Sequence, residues 1–193
     1  VCEERSRGHR SELYRGSSTV ADAFGNPVIR AFIAAYWAEV APTIAPGIDV
    51  AGYTGRLLTR FDNTALHHRC AQIATDASLK VPQRIVAPLR ELASVGRPAS
   101  MLCFALAAWI RSCQGTDEAG AAMPLSDPQL QNWTGLPGPG VPVVDTVRAF
   151  LGFSAVFGSG LGPDIAPALE AALANIRNLG ILPAAQMRLA AKL

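Results

Sequence analysis

Long apolar runs are missing from this sequence. The longest, Met101 to Ile110 (MLCFALAAWI), stops at Arg111. That is far short of the roughly twenty residues a membrane-spanning helix needs, so it reads as a buried helix. No apolar segment of the kind that makes a signal peptide lies near the N-terminus. Charge is scarce too, at 17% of residues, with 17 basic side chains against 15 acidic ones and a formal net charge of +2. The basic residues are scattered apart from Arg5, Arg7 and Arg10, so no nucleic-acid or membrane partner is expected. Cys2, Cys70, Cys103 and Cys113 have no C-x-x-C spacing. This argues against a metal site and suits reduced thiols in a cytoplasmic protein, with Cys103 and Cys113 as small core hydrophobes. Strand alternation is absent, and no G-x-G-x-x-G follows a strand to cradle a dinucleotide. The glycines of Gly158-Ser159-Gly160-Leu161-Gly162 lie between helical patterns and read as a helix-to-helix turn.

What remains is helical. The 193 residues, 50% of them hydrophobic, are enough for one domain with a substantial core. Asn26-Pro27 reads as an N-cap and first-turn proline, followed by Val28, Ile29, Phe32, Ile33, Tyr36 and Val40 at helical spacing. Asp49 is expected to cap a second helix and Asn63 a third, carrying Leu66, Cys70 and Ile73. Asp76 to Pro82 reads as a break before a fourth helix near residues 83–94, closed by Gly96-Arg97-Pro98. Residues 99–114 form an apolar, central helix. Thr134 to Pro142 is the most Gly/Pro-rich connector. Val143 to Phe157 resumes an apolar pattern, and Pro163 to Leu179 is the last helix expected. Asp145 and Asp164 read as caps, and Trp37, Trp109 and Trp133 as packing residues, with Trp133 a candidate for a domain face. The fold class is all-α. Residues 1–18 are polar, lack this periodicity and read as an irregular remnant before a domain over 19–193.

The segment from Arg60 to Arg84, RFDNTALHHRCAQIATDASLKVPQR, concentrates Asp62, Asn63, His67, His68, Arg69, Gln72, Asp76, Ser78 and Lys80 between apolar helical patterns. A helix used only for packing can cover its outer face with better helix formers. These polar groups therefore point to a ligand site or an interface. His67 and His68 are adjacent, so on a helix they point about 100° apart and cannot form a metal pair. Asn63 reads as a cap, and Arg60 and Arg84 as partners for Asp62 or Asp76.

The pattern RF-x-N, then H-x-x-x-QIA-x-D-x-S-x-K-x-P-x-R, resembles the core motif of the long-chain mannitol dehydrogenase and fructuronate reductase family. TVADAFGNPVIRAFI, YWAEVAPTI, IVAPLRELASVGRP, FALAAWIRSCQGTDEAG and LSDPQLQ extend the likeness from about Thr19 to the C-terminal end. The resemblance implies a helical bundle like the C-terminal domain of 6-phosphogluconate dehydrogenase. In the family this domain is joined to a Rossmann domain that binds NAD or NADP, and no metal is used. It implies hydride transfer at a secondary alcohol of a polyol or sugar acid. Lys80 and Gln72 fall on substrate-binding positions, with Asn63, His67, His68 and Asp76 as further site-lining candidates. Gln72 would bond through its amide, where some family members place an arginine.

The sequence departs from the family pattern in three places. Asn63-Thr64 replaces Asn-Pro. Asp76-Ala77-Ser78 replaces Asp-Gly-Ser, and an alanine adopts positive φ only at a cost, so an altered loop before Lys80 is expected. The family's Lys-x-x-x-x-Asn-x-x-His motif, with the lysine as general base, is not matched before TVADA. Ungapped, its histidine falls on Arg5 and its asparagine on Cys2. With a four-residue deletion His9 falls on the histidine position as a catalytic candidate, with Ser6 in place of the asparagine and Val1 in place of the lysine. The expectation is a substrate-binding half, closer to fructuronate reductase than to mannitol dehydrogenase and inactive as this chain alone. The alternative is a non-catalytic helical module that assembles with a separate Rossmann chain.

Overall fold

The computed structural model describes residues 19–63, 65, 69–123, 125–162 and 164–191, the side chains of Ala71 and Ile73 excepted. Among these residues the regular structure is helical, with two isolated bridges, Thr19 to Arg69 and Thr116 to Ala122. The all-α reading holds.

Local chemistry sets several helix starts as the sequence indicates. The Asn26 side chain accepts from Val28 N at 2.9 Å and opens Pro27–Val40, with proline in the first turn. Asp49 accepts from Gly52 N at 2.8 Å and opens Val50–Phe61. A short helix not expected from the pattern, Val20–Phe24, is closed by a reciprocal capping box between Thr19 and Asp22.

The central helix is Ser100–Ser112, in which Met101, Leu102, Leu106, Ala107 and Ile110 are fully buried. Its most extensive packing is against Ile165–Leu179, through Leu169 and Leu173. Phe150 and Phe157 complete the core, and Trp109 meets Phe150 edge-on at 5.6 Å. Trp133 stacks on Phe153 at 4.3 Å, so it packs against this same core. Ala99, in the N-cap position of the central helix, makes no side-chain cap. The Glu39 carboxylate does this work instead, accepting from Met101 N at 3.1 Å and Leu102 N at 2.8 Å.

Four expectations are corrected. Asp76 to Pro82 is not a break. Ala77–Val81, the π-helical Pro82–Val86 and Ala87–Ser94 run on as consecutive helical segments. Pro82 has no N–H for the carbonyl of Ser78, and a wide turn follows it, in which Ala87 N reaches Pro82 O. Gly96, at φ 65°, then closes the helix, and Arg97 N returns to Leu92 O at 2.9 Å in a Schellman-type end.

Second, the helix carrying Cys70 spans Cys70–Ala74 and opens at Arg69. Asn63 accepts from Ala65 N at 3.0 Å, a local turn bond, and does not cap that helix. Third, Asp145 lies in the first turn of Val143–Leu151, paired with Arg148 at 2.8 Å, while Pro142 holds the N-cap position. Asp164 does occupy an N-cap position, without a side-chain cap bond.

Fourth, Ile165–Leu179 is not the last helix. Ile181–Ala190 follows and packs on Pro27–Val40. Between the two, Gly180 has φ 85°, and an added Cβ would meet the Glu118 carboxylate at 3.1 Å. That carboxylate accepts from Ile181 N at 2.5 Å and so starts the new helix. The Gly158-to-Gly162 stretch is a turn between Ser154–Phe157 and Ile165–Leu179, tied down by Arg90, which donates to Phe157 O and to Gly160 O.

Candidate functional site

The polar segment leads into the start of the Ala77–Val81 helix. Ser78, 1% exposed, donates its backbone N–H to Asp127 Oδ2 at 2.8 Å and its hydroxyl to Asp127 Oδ1 at 2.5 Å. Asp127 is itself buried. It also accepts from Gln129 N at 3.1 Å, capping its own helix Pro128–Gln131. One carboxylate thus closes two helix starts distant in sequence, where the positive end of each favours an anion.

Two residues beyond Ser78, Lys80 pairs with Asp76 across i,i+4, in the favourable acid-first order. Both side chains keep partial exposure, so the pair is open to water and to a ligand. The Lys80 hydrogen bond is the largest of the effects that hold the Asp76 carboxyl below its ordinary range. Asp62 instead pairs with Arg30. The expected ion pairs of Asp62 or Asp76 with Arg60 or Arg84 are therefore corrected, while the Arg84 charge still acts on Asp76 as a minor influence that lowers its pKa. Ala77 is helical, and no non-glycine residue among those described has positive φ. The alanine replacing glycine does not force a strained loop before Lys80.

A cavity of about 830 Å³ adjoins this start. Arg69, Gln72, Thr75 and Ala77 line one side, Trp109 and Cys113 come from the end of the central helix, and Asp117 and Asp127 come from the following loop. Asp117 Oδ1 braces that loop. It accepts from Ala119 N at 2.9 Å and Ala121 N at 2.8 Å, while Arg111 holds the carbonyls of Thr116 and Asp117, each at 2.7 Å. Burial pushes the Cys113 thiol far above its ordinary range and that of Cys103 up to about 11. Both stay protonated near neutrality and are inert.

Of the residues singled out by sequence, Gln72 is exposed and lines the cavity, and Asp76 and Lys80 are brought together on the helix beside it. Lys80 is not among the lining residues, and Asn63 is exposed and separate from the cavity. His9, His67, His68 and the rest of residues 1–18 lie outside the described residues. Among the described residues no cluster of three potential metal ligands occurs, and no helix is long and apolar enough to cross a membrane. Asp127 was missed as a site-building residue. Its Asp-Pro pair is a visible N-cap signal like Asn26-Pro27, but nothing local reveals its second partner, Ser78.

The chemistry offered is oxygen recognition. The Lys80 ammonium donates to hydroxyl or carboxylate oxygens, and the Gln72 amide both donates and accepts.

The family described as the mannitol dehydrogenase C-terminal domain matches residues 11–176. D-mannonate oxidoreductase of Escherichia coli is 38% identical over 149 residues, covering 76% of this chain and 30% of that protein. Mannitol 2-dehydrogenase of Emericella nidulans is 37% identical over 95 residues, covering 48% of this chain and 19% of the relative. The chain therefore spans less than a third of the length of these relatives. Among solved structures, the Pseudomonas fluorescens mannitol 2-dehydrogenase ternary complex with NAD and D-mannitol matches with a TM-score of 0.82 and 25% identity. That match covers 92% of this chain and 37% of the other.

Proposed function

The chain belongs to the mannitol dehydrogenase C-terminal domain family, and from that premise we propose that it is the substrate-binding part of an oxidoreductase. The reaction is transfer of a hydride between NAD or NADP and a secondary CH–OH group of a sugar acid or polyol, of the mannonate/fructuronate or mannitol/fructose type. The observation that carries this reading is the close agreement in fold with a chain whose structure holds NAD and D-mannitol. Among the described residues no strand feeds a glycine-rich turn, the usual cradle for a dinucleotide pyrophosphate, so the part assigned to this chain is the alcohol's side. Lys80 donates to a substrate oxygen, with Asp76 holding the ammonium in place. Gln72 supplies amide bonds at the mouth of the cavity.

Calorimetric titration of the chain with D-mannitol and D-mannonate tests the reading. Binding of at least one, weakened in Lys80→Ala and Gln72→Ala, is expected. No heat with either ligand at millimolar concentration contradicts it. Turnover linked to NAD(H) is expected to be absent from this chain alone, so mannitol oxidation by the pure chain would contradict that part.

One observation favours a second reading, docking onto a separate Rossmann domain. Val50–Phe61 is amphipathic yet contains no buried residue, and Tyr53 on it and Ile48 before it are each 57% exposed. Light scattering of the chain mixed with a family Rossmann domain tests it, and two unassociated species would count against it.

A further inference from the structure

Asp76 occupies the N-cap position of Ala77–Val81, where an aspartate ordinarily accepts from the second or third backbone N–H of the helix. It makes no such bond. Its Oδ1 is engaged by Lys80 instead. The N–H that Asp76 would have taken, that of Ser78, is already held by Asp127 at 2.8 Å, and the second oxygen of Asp127 takes the Ser78 hydroxyl at 2.5 Å. Asp127 and Ser78 are 3% and 1% exposed, so this contact is shielded from water, and it joins the helix to a segment 49 residues away. Charge-assisted bonds of this kind are strong and directional. The usual capping residue has thus been relieved of capping by a distant carboxylate.

We propose that Asp127 is the positioning residue for Lys80: by capping the helix at Ser78 it frees Asp76 to hold the Lys80 ammonium beside the cavity. Asp127 acts through the helix start, since both its oxygens are taken up by Ser78 and Gln129. Without Asp127, Asp76 turns back to accept from Ser78 N, and its hold on the Lys80 ammonium is lost. The relevance of this device to substrate rests on the function proposed above, but the link from Asp127 to Lys80 does not.

The sequence makes the test clean, because it contains two lysines, Lys80 and Lys192. Reductive methylation with ¹³C-formaldehyde gives each lysine a dimethylamino resonance that can be assigned by substitution. In the native chain the Lys80 signal is expected to lie away from that of Lys192, and Asp76→Asn should bring it toward the free position. Asp127→Ala is expected to do the same, in a chain whose circular dichroism still reports the native helix content. Affinity for the polyol or hexonate should fall about tenfold, the scale on which outer-shell bonds to a ligand-holding side chain act.

A Lys80 signal unmoved in folded Asp127→Ala overturns the proposal. Should that variant not fold, Asp127→Leu fills the volume and offers no acceptor to either Ser78 atom. A shift of Lys80 toward the free position is then expected, and an unmoved signal again overturns it. A Lys80 signal that answers to Asp127 but to no polyol or hexonate leaves the positioning claim standing and removes the substrate reading.

Discussion

The Tyr36 hydroxyl donates to the backbone carbonyl of Arg84 at 2.8 Å. In a regular helix that carbonyl would accept from the residue four places on, which is Pro88 and has no N–H. Tyr36, on Pro27–Val40, supplies a donor to that carbonyl where the helix runs on past Pro88. Burial, the largest influence, raises the Tyr36 phenol above its ordinary 10.0.

Tyr36→Phe keeps the ring and leaves the Arg84 carbonyl without this donor. A loss of about 1 kcal/mol is expected by urea denaturation, the net scale of one such bond. The pH dependence follows from the raised pKa. Below pH 10 the phenol is protonated in folded and unfolded chains alike, and its contribution is fully present. Above that, the unfolded chain ionises first and stability falls. Native stability should therefore decline above pH 10 more steeply than that of Tyr36→Phe, and parallel declines would contradict the assignment.

Glu39→Ala removes the anion that closes the start of the central helix at Met101 and Leu102. A loss of about 1–2 kcal/mol is expected from the missing cap and charge–dipole contact. Thermal denaturation checks it, and an unchanged midpoint would show that the two N–H groups find water instead.

Lys80 lowers the Asp76 pKa, so their pairing is present above the ordinary carboxyl value of 3.8 and is lost as pH falls through the depressed folded value. Both groups are partly exposed, so the effect on stability is small. Carboxyl chemical shifts followed through an acid titration should place Asp76 below the ordinary range in the native chain and return it upward in Lys80→Ala. No change between the two would mean that Lys80 does not hold Asp76 in solution.

What was legible in the sequence was what neighbours in the chain decide. Asn26-Pro27 and Asp49 cap as read, and the apolar run around Leu106 is the central helix. The helical path through Pro82 and Pro88 was not legible, because it runs through a π turn and takes a donor from Tyr36, 48 residues before Arg84. Ile181–Ala190 was hidden for a similar reason, since its first N–H is met by Glu118, 63 residues earlier. At the site, Gln72 and Lys80 came from the resemblance to known sequences. The burial of Ser78 and the double role of Asp127 are tertiary facts that no local pattern carries.

The most direct test follows the ¹³C-dimethyl resonance of Lys80 while D-mannonate or D-mannitol is added to the chain. A saturable shift of Lys80 with at least one of them, with Lys192 unmoved, is the expected result. A Lys80 resonance indifferent to both would contradict the claim that this domain binds the alcohol substrate.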